Sequence, residues 1–288
     1  MKTAIVTDSN SGIFPEKGKE LGIFVLPMPV ILDGKTYFEG VDLTHQEFYQ
    51  RLAAGADATT SQPAPADVEA MWDSVLAQGF DQIVHIPMSS GLSASCATAQ
   101  GLAADYDGKV QVVDDHRISV SEYDAVMDAI AMAKEGMDAA AIRAELEAGG
   151  MDSVIYLGVD TLKYFKKNGR CTATTAALGA VLNIKPLLKC DGERFDAIAK
   201  VRGVANCRKQ AAELAAQAAA EMLEKGWSVS VGVAGSFQDP EAEASWVEQV
   251  QAALPAGVGM HFEPLSFSVI CHTGPDAFGM GISRRLRP

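Results

Sequence analysis

The sequence predicts an α/β protein of two domains, and three observations support this prediction. The chain has 288 residues, a length that suits two domains better than one. Short apolar runs alternate with helical patterns through the first half, as in a parallel, doubly wound sheet. Near Gly149 and Gly150 this alternation changes. We therefore predict an N-terminal α/β domain over residues 1–150 and a C-terminal α/β domain with a mixed sheet over residues 151–288.

The N-terminal domain begins with a predicted strand over residues 4–7, followed by turn-forming residues. Asp33 and Gly34 indicate a hairpin turn, and Thr44 with Glu47 fits a capping box at the start of a helix. The other predicted strands are 24–27, 30–32, 36–38, 82–87 and 109–113, and the other predicted helices follow Pro65 and cover 94–104, 121–134 and 138–148. Ligands of such sheets sit in the loops beyond the carboxyl ends of the strands.

The C-terminal domain has a less regular pattern. A predicted strand over 154–159 precedes a short helix over 161–167, which the C-cap pair Asn168 and Gly169 ends. The later predicted elements are extended stretches over 182–188 and 195–201, helices over 209–225 and 241–254, and strands over 228–234 and 260–265. Residues after 265 are predicted to form a tail of loops.

Composition and charge exclude several classes of protein. The net charge of −13 repels phosphate backbones, so we expect no nucleic-acid partner. The first apolar run is too short for a signal peptide, and no stretch approaches the ~20 apolar residues of a membrane span, so we expect a cytoplasmic protein. The five cysteines are scattered, which favours reduced thiols and gives no support for a zinc site.

Three short polar clusters could bind an anion. They are residues 59–63 (Thr-Thr-Ser-Gln-Pro), residues 89–93 (Ser-Ser-Gly-Leu-Ser) and the loop that contains His272. Hydroxyl groups at the start of a helix, or a histidine N–H, can hold a carboxylate or phosphate. The simpler interpretation of the two serine and threonine clusters is helix capping and turn formation, and a lone histidine in a loop is often simply exposed.

Basic residues also cluster in this acidic chain. Lys163, Lys166, Lys167 and Arg170 surround Asn168-Gly169, and Lys200, Arg202, Arg208 and Lys209 follow later in the sequence. A solvated face is the simpler interpretation. The functional alternative is a surface for an acidic partner protein or for a phosphate group.

Common enzyme motifs are missing from the sequence. It contains no GxSxG elbow, no Walker lysine loop and no GxGxxG after the first strand. Asp8, Asp114 and Asp115 follow strands and could bind a metal or act as bases, but capping and turn formation are the favoured roles. We expect no metal and no cofactor.

Taken together, six motifs resemble those of the DegV family in order and spacing, from residue 3 to about residue 282. The motifs are Thr7-Asp8-Ser9, Thr60-Ser61-Gln62-Pro63, Ser89-Ser90-Gly91-Leu92-Ser93, Asn168-Gly169-Arg170, Leu182-Asn183-Ile184-Lys185-Pro186 and His272-Thr273-Gly274-Pro275. Each motif is weak alone, but six in register are specific. The resemblance implies two α/β domains with a ligand tunnel between them.

The resemblance also implies a function. Members of that family bind a long-chain fatty acid and serve as the lipid-binding subunit of a fatty acid kinase. A separate kinase subunit with ATP phosphorylates the carboxylate, and the acyl phosphate enters phospholipid synthesis. By resemblance the chain is a binding protein rather than an enzyme, and loading requires transient contact with a membrane.

Residue by residue, the resemblance implies that Thr60, Ser93 and His272 hold the carboxylate, with Ser61 as an additional contact. Arg170 and Arg202 match basic positions that face the kinase subunit or its phosphate. Two residues of the fifth motif, Asn183 and Lys185, receive no role. The ligand's chain length, the oligomeric state and the partner's identity do not follow from the resemblance.

The sequence departs from the family at a few positions. Ala94 stands where glycine is usual, Ser95-Cys96 replaces a Thr-Tyr pair, and Asp276 replaces a glycine four residues from His272. Two alternatives stay open. One is a small-acyl hydrolase or transferase that uses Ser93 and His272, with Asp276 as orienting acid. The other is a lipid-sensing regulatory protein.

Overall fold

The computed structural model describes residues 1–178 and 183–288, so Leu182 of the fifth motif lies outside the described residues. The strands are β1 (Thr3–Asp8), β2 (Phe24–Leu26), β3 (Pro29–Leu32), β4 (Lys35–Phe38), β5 (Ala58–Thr60), β6 (Gln82–Ile86), β7 (Val110–Val112), β8 (Ser153–Gly158), β9 (Ile184–Cys190), β10 (Asp196–Arg202), β11 (Ser228–Gly235), β12 (Gly259–Phe262) and β13 (Phe278–Arg285).

The helices alternate with these strands. They are α1 (Pro15–Leu21), α2 (His45–Ala53), α3 (Pro65–Ala77), α4 (Ser95–Ala103), α5 (Val120–Lys134), α6 (Ala139–Gly149), α7 (Lys163–Asn168), α8 (Ala173–Ala176), α9 (Val204–Glu224), α10 (Pro240–Ala253) and α11 (Phe267–Thr273). The predicted capping box forms at α2, where Thr44 Oγ1 accepts from the Glu47 backbone N–H.

The first sheet confirms the predicted parallel, doubly wound arrangement. Its strand order is β2-β1-β6-β7, and every neighbouring pair is parallel. Apolar side chains of α5 and α6 cover one face of the sheet, and those of α3 and α4 cover the other. Strand β2 lies on one side of β1, and the later strands β6 and β7 lie on the other side. The order of strands therefore switches between β1 and β6, and their carboxyl ends open a crevice where such sheets bind ligands.

The second sheet is mixed, as predicted, with the order β10-β9-β8-β13-β11-β12. Its β11–β12 pair is parallel, whereas β13 runs antiparallel to both β8 and β11. Helices α9 and α10 pack on one face. On the other face, Leu157, Leu188 and Phe195 pack with Leu92 and Ile118 of the N-terminal half. The apolar inner face of this sheet therefore meets the crevice of the first sheet.

A small third sheet joins the two larger ones, with the order β4-β3-β5. The predicted hairpin at Asp33-Gly34 forms between β3 and β4. For residues 59–63 the sequence favours helix capping and turn formation, and it predicts no strand. In the structure, Ala58–Thr60 form β5, which pairs antiparallel with β3 and places Thr60 opposite Val30. An edge strand therefore fixes Thr60, where the sequence indicated only a turn.

The prediction of a loop tail after residue 265 is wrong. This segment contains α11 and then β13, the strand that holds the second sheet together. Glycines at 279 and 281 dilute the apolar pattern that would have indicated a strand. Position 281 favours glycine because a Cβ there would lie 2.9 Å from Val120 Cγ2, where α5 crosses the strand.

The predicted domain boundary lies where α6 ends at Gly149. The buried Arg117 guanidinium donates to the Gly149 carbonyl at 2.9 Å and to the Gly150 carbonyl at 3.3 Å. A Cβ at Gly150 would lie 2.4 Å from the Asp115 carbonyl oxygen, so only glycine fits this close approach. The division into residues 1–150 and 151–288 stays a prediction.

Candidate functional site

A narrow cavity of about 60 Å³, the front cavity, lies between the two large sheets. Its wall combines polar residues from separate segments with apolar residues from both halves of the chain. The lining consists of Asn10, Met28, Thr60, Ser61, Gln62, Met88, Leu92, Ser93, Ile118, Phe165, Arg170, Phe195, Ser268, Val269, His272 and Thr273. Three segments that are far apart in the sequence therefore meet at one cavity, and they carry Thr60 with Ser61, Ser93 and His272.

His272 lies in the last turn of α11, not in the loop that the sequence indicated. The Ser266 hydroxyl caps the start of this helix by accepting from the Val269 N–H at 3.2 Å. At its end, the Asn168 side-chain amide donates to the Cys271 carbonyl at 2.9 Å. These contacts hold the helix at both ends and fix the position from which His272 enters the cavity.

The imidazole of His272 pairs with the hydroxyl of Thr60. Its Nε2 lies 3.1 Å from Thr60 Oγ1, and its Nδ1 has no hydrogen-bond partner among the described residues. Burial and, to a smaller extent, the positive charge of Arg170 together lower the pKa of His272 to about 4. The ring is therefore neutral at pH 7, and it can still donate one N–H to an anion.

Ser93 reaches the cavity from the loop between β6 and α4. Its backbone N–H donates to the Ser89 carbonyl, and its hydroxyl accepts from the Ser95 N–H at 3.1 Å. The loop is fastened in turn to the second sheet, because the buried Ser89 hydroxyl donates to the Gly192 carbonyl in the turn between β9 and β10. Ser93 therefore has a defined position, and its hydroxyl proton remains available to a ligand.

Arg170 lies in the wall of the front cavity, beside His272. Its guanidinium donates to the Leu92 carbonyl at 3.2 Å and to the Asn168 carbonyl. The family resemblance gives Arg170 and Arg202 the same role. Arg202, however, is exposed at the end of β10, opposite Ile184. The two arginines thus have different surroundings, and Arg170 supplies the positive charge nearest to the polar end of the cavity.

The remaining predicted positions lie around this group. Ser61 is exposed at the mouth of the cavity. Lys185, on β9, forms an ion pair with Asp160. Asn183 adopts the left-handed conformation (φ 60°), and its carbonyl accepts from the Gly203 N–H at 2.9 Å. Lys185 and Asn183 do not line the front cavity, so their observed contacts are structural.

The arrangement expected for an acyl hydrolase does not form among the described residues. Asp276, the proposed orienting acid, is exposed and makes no hydrogen bond to His272, whose Nδ1 is unpartnered. Ser93 and His272 are not hydrogen-bonded to each other; Thr60 takes that position. Within residues 1–178 and 183–288 no group of three or more His, Cys, Asp and Glu side chains is placed to hold a metal ion.

Behind the polar group lies a second space, the inner cavity of about 40 Å³. Most of its lining is apolar: Ile118, Val120, Ile155, Leu157, Phe195, Ala234, Leu265, Val269, Gly279 and Met280, with Ser119 and Thr273. Ile118, Phe195, Val269 and Thr273 line both cavities. The two spaces therefore adjoin, and together they form a path with one polar end and one apolar end.

Several lining residues were not predicted as functional. Asn10 follows β1, and its amide oxygen accepts from the hydroxyls of Ser266 and Ser268 at the start of α11. Its amide nitrogen lies 3.1 Å from the sulfur of Met88. The signal was in the sequence, since Asn10 and Met88 both follow strands of the parallel sheet at their carboxyl ends, where ligand sites of such folds lie.

Within the described residues, no helix is both long and apolar enough to cross a membrane. The family model for the DegV family, described as uncharacterised proteins, matches residues 2–285. A DegV domain-containing protein of Deinococcus radiodurans is 31% identical over 283 residues, which cover 98% of each chain.

Solved structures give the same result. A fatty-acid-binding DegV family protein from Thermus thermophilus is 30% identical with a TM-score of 0.86, covering 99% of this chain and 100% of that one. DegV from Bacillus subtilis, described as a fatty acid binding protein, is 25% identical with a TM-score of 0.84 and covers 99% of both chains. With its parallel and mixed sheets and the cavity between them, this chain belongs to the DegV family.

Proposed function

We propose that this protein binds one long-chain fatty acid, with the carboxylate in the front cavity and the acyl tail in the inner cavity. The observation that supports this most is the adjacency of a polar end, formed by Thr60, Ser93 and His272, to a space with an apolar lining. Such a path matches a ligand with one small anionic group and one long apolar chain. The Thermus and Bacillus relatives, described as fatty-acid-binding proteins, support the same ligand class.

The free energy of tail burial is sufficient for a carrier. Each buried methylene contributes about 0.8 kcal/mol, so a chain of ~15 methylenes contributes on the order of 12 kcal/mol before costs. Lost translational freedom and ordering of the chain offset an estimated 4 kcal/mol or more. The remainder allows tight binding, and it decreases steeply for shorter chains.

The polar end suits a carboxylate that must later react. A bare buried carboxylate costs several kcal/mol, which hydrogen bonds from Thr60, Ser93 and His272 offset. Ser93 donates its own hydroxyl. Thr60 and His272 act as a pair, because one proton lies between Oγ1 and Nε2 and the pair therefore has one donor left for the carboxylate. Arg170 adds positive charge at the same end, while two of its N–H groups already donate to backbone carbonyls. Its remaining donors place the charge beside the carboxylate without requiring a bidentate clamp.

The cavity has to widen when the ligand enters. The volumes of about 60 and 40 Å³ are far below the roughly 300–1,000 Å³ of ordinary ligand pockets. Met28 and Met88 line the front cavity. Methionine has three rotatable bonds and adapts to irregular shapes at small cost. Rotation of these two side chains is the change that would widen the front cavity at the smallest cost.

We further propose that the bound carboxylate is presented to a separate kinase subunit that brings ATP, in the cytoplasm, and that loading occurs during transient contact with a membrane. The chain carries no nucleotide-binding motif, so phosphoryl transfer needs a second protein. Lys163, Lys166, Lys167 and Lys200 line one surface groove, and Arg202 lies on the same strand as Lys200. This basic surface suits an acidic partner protein.

Two experiments test the two parts of the proposal. Titration with saturated fatty acids of 8 to 18 carbons should give an affinity that rises steeply with chain length; equal affinity across the series would contradict a buried tail. For the second part, Arg202→Glu should abolish acyl phosphate formation by the kinase subunit while fatty acid binding persists. Lys225→Glu is the matched control, because Lys225 follows the opposite end of the 21-residue α9, about 30 Å away.

A further inference from the structure

A third space, the rear cavity, lies on the far side of the residues that form the front cavity. It has a volume of about 10 Å³, and its lining consists of Asp8, Leu26, Pro63, Val68, His85, Pro87, Ser95, Thr98 and Ala99. None of these residues lines the front cavity. Five of them, however, are within two positions in the sequence of a residue that does. These pairs are Asp8 and Asn10, Leu26 and Met28, Pro63 and Gln62, Pro87 and Met88, and Ser95 and Ser93. The same chain segments thus separate the two cavities.

Polar side chains without partners border the rear cavity. His85 is 2% exposed, and neither of its ring nitrogens makes a hydrogen bond within the described residues. The Ser95 hydroxyl, in a residue that is 8% exposed, has no partner there either. Buried polar groups in native proteins are nearly always hydrogen-bonded, and each one left unpaired costs about 1–3 kcal/mol. A His85 ring nitrogen and the Ser95 hydroxyl, both unpaired and both at one small space, indicate a common partner.

The protonation states define what that partner must do. Burial lowers the pKa of His85 to about 4, so its ring is neutral at pH 7 and carries one N–H donor and one nitrogen acceptor. Asp8 accepts from the Met88 N–H at 3.0 Å and from the Asn10 N–H at 2.8 Å, and its oxygens have further acceptor capacity. The partner must therefore both donate and accept, and it must be no larger than the cavity.

We propose that the rear cavity binds one ordered water molecule, held by His85, Ser95 and the carboxylate of Asp8. A volume of about 10 Å³ is at the lower limit of what one water requires, and three polar partners are the usual number for a buried water. The water joins the end of β1, which carries Asp8, to β6, which carries His85, and to the start of α4 at Ser95.

The position of the water gives it a role in the site. Ser95 donates its N–H to Ser93 Oγ at 3.1 Å, and Thr98 Oγ1, also at the rear cavity, donates to Gln62 Oε1 at 3.1 Å. Ser93 and Gln62 both line the front cavity. Through Ser95, the water therefore supports the segment that carries Ser93. The segment of Gln62 is held at the same cavity by Thr98. This role in ligand affinity rests on the proposed function, whereas the presence of the water does not.

A crystal structure at about 1.5 Å resolution or better tests the proposal directly. We expect one water peak within about 2.7–3.2 Å of a His85 ring nitrogen, Ser95 Oγ and an Asp8 oxygen. A cavity with no density, or a His85 ring rotated so that its nitrogens bond to protein groups, would overturn it. This outcome is independent of whether a fatty acid binds.

A double-mutant cycle tests whether the two side chains share the same water. Ser95→Ala and His85→Phe should each lower the midpoint of thermal unfolding, and the double variant should lose clearly less than the sum, since either change alone releases the water. Additive losses would contradict a shared ligand. Ser74→Ala, at an exposed position of α3, is the control for Ser95→Ala and should leave the midpoint unchanged. If His85→Phe does not fold, loss of the water peak in Ser95→Ala decides the question.

Discussion

Two partly buried histidines of this protein differ in charge at pH 7, His261 being protonated and His272 neutral, and their surroundings explain the difference. His272 lies in the front cavity, where burial and the nearby Arg170 lower its pKa to about 4. His261 lies at the junction of β12 and α5. Burial also acts to lower the pKa of His261, but Asp124 at 3.4 Å and Glu263 at 3.7 Å outweigh it and raise the value to about 9.

The region around His261 is a cluster of paired charges. Lys17 contacts Glu263 at 2.6 Å, and Arg285 contacts Asp128 at 2.8 Å and Asp124 at 3.6 Å. The cluster joins α1, α5, β12 and β13, and so it ties the N-terminal half to the second sheet. In that cluster the protein itself supplies both charges of each pair, whereas Arg170 at the front cavity has no carboxylate partner within residues 1–178 and 183–288. We infer that the cluster of paired charges stabilises the fold, and that Arg170 at the front cavity is available to the carboxylate of the proposed ligand.

The largest effect is expected from a substitution in the cluster of paired charges. Asp128 is fully buried, and its carboxylate accepts from Arg285, from the Leu286 N–H at 2.9 Å and from the Arg287 N–H at 3.0 Å. Asp128→Ala leaves these donors unpaired and should lower the free energy of unfolding by about 3–5 kcal/mol in chemical denaturation. Glu145→Ala removes an exposed partner of Arg287 and should cost less than about 1 kcal/mol. Similar losses in the two variants would contradict the distinction.

The next largest effect is expected from a substitution in the front cavity, beside the neutral His272. Thr60→Val removes a hydroxyl donor to the bound carboxylate and should weaken fatty acid affinity about 10- to 100-fold, because hydrogen bonds to charged groups contribute about 1.5–3 kcal/mol. Thr59→Val is the matched control. Thr59 lies next to Thr60 on β5, where it pairs with Ile31 of β3, and it does not line the front cavity. Calorimetric titration measures both variants. Equal affinities of the Thr60 variant and the unmodified protein would remove Thr60 from the site.

The pH dependence of stability is expected to have opposite signs for the two histidines. The folded state of His261 holds its proton more tightly than the unfolded chain, so its contribution is complete below about pH 6.5 and is lost as pH rises towards 9. His272 binds its proton less tightly when folded, so its contribution is present above pH 6.5 and is lost as pH falls towards 4. NMR titration of the ring protons, assigned with single variants, measures both pKa values; two values near 6.5 would contradict the comparison.

The smallest effect is expected at Asp276. This carboxylate lies four residues from His272 in sequence, but it is exposed and makes no hydrogen bond to the ring. Asp276→Asn should change fatty acid affinity by less than about threefold, as for other exposed charges. A large gain in affinity would instead show that Asp276 repels the bound carboxylate through space.

Local patterns in the sequence predicted the parts of the fold that depend on local interactions. The capping box at Thr44, the hairpin at Asp33-Gly34 and the strands of the parallel sheet all form. The C-terminal strand β13 was missed because its glycines answer to close approaches that exist only in the folded chain, of α5 to Gly281 and of β8 to Gly279.

The candidate site was harder to predict for the same reason. The Thr60–His272 hydrogen bond joins residues 212 positions apart, and no local pattern encodes such a pair. The resemblance to the DegV family brought the two together, but it grouped Arg170 with Arg202. Only the packing of α7 against the loop at Leu92 shows that Arg170 borders the cavity.

Native mass spectrometry of the purified protein, before and after denaturing extraction, is the most direct test of the proposal that the path between the two sheets holds one fatty acid. We expect a bound mass of one long-chain fatty acid per chain that is released on denaturation, or uptake of one added palmitate or oleate. A ligand-free mass that stays unchanged after palmitate or oleate is added would contradict it.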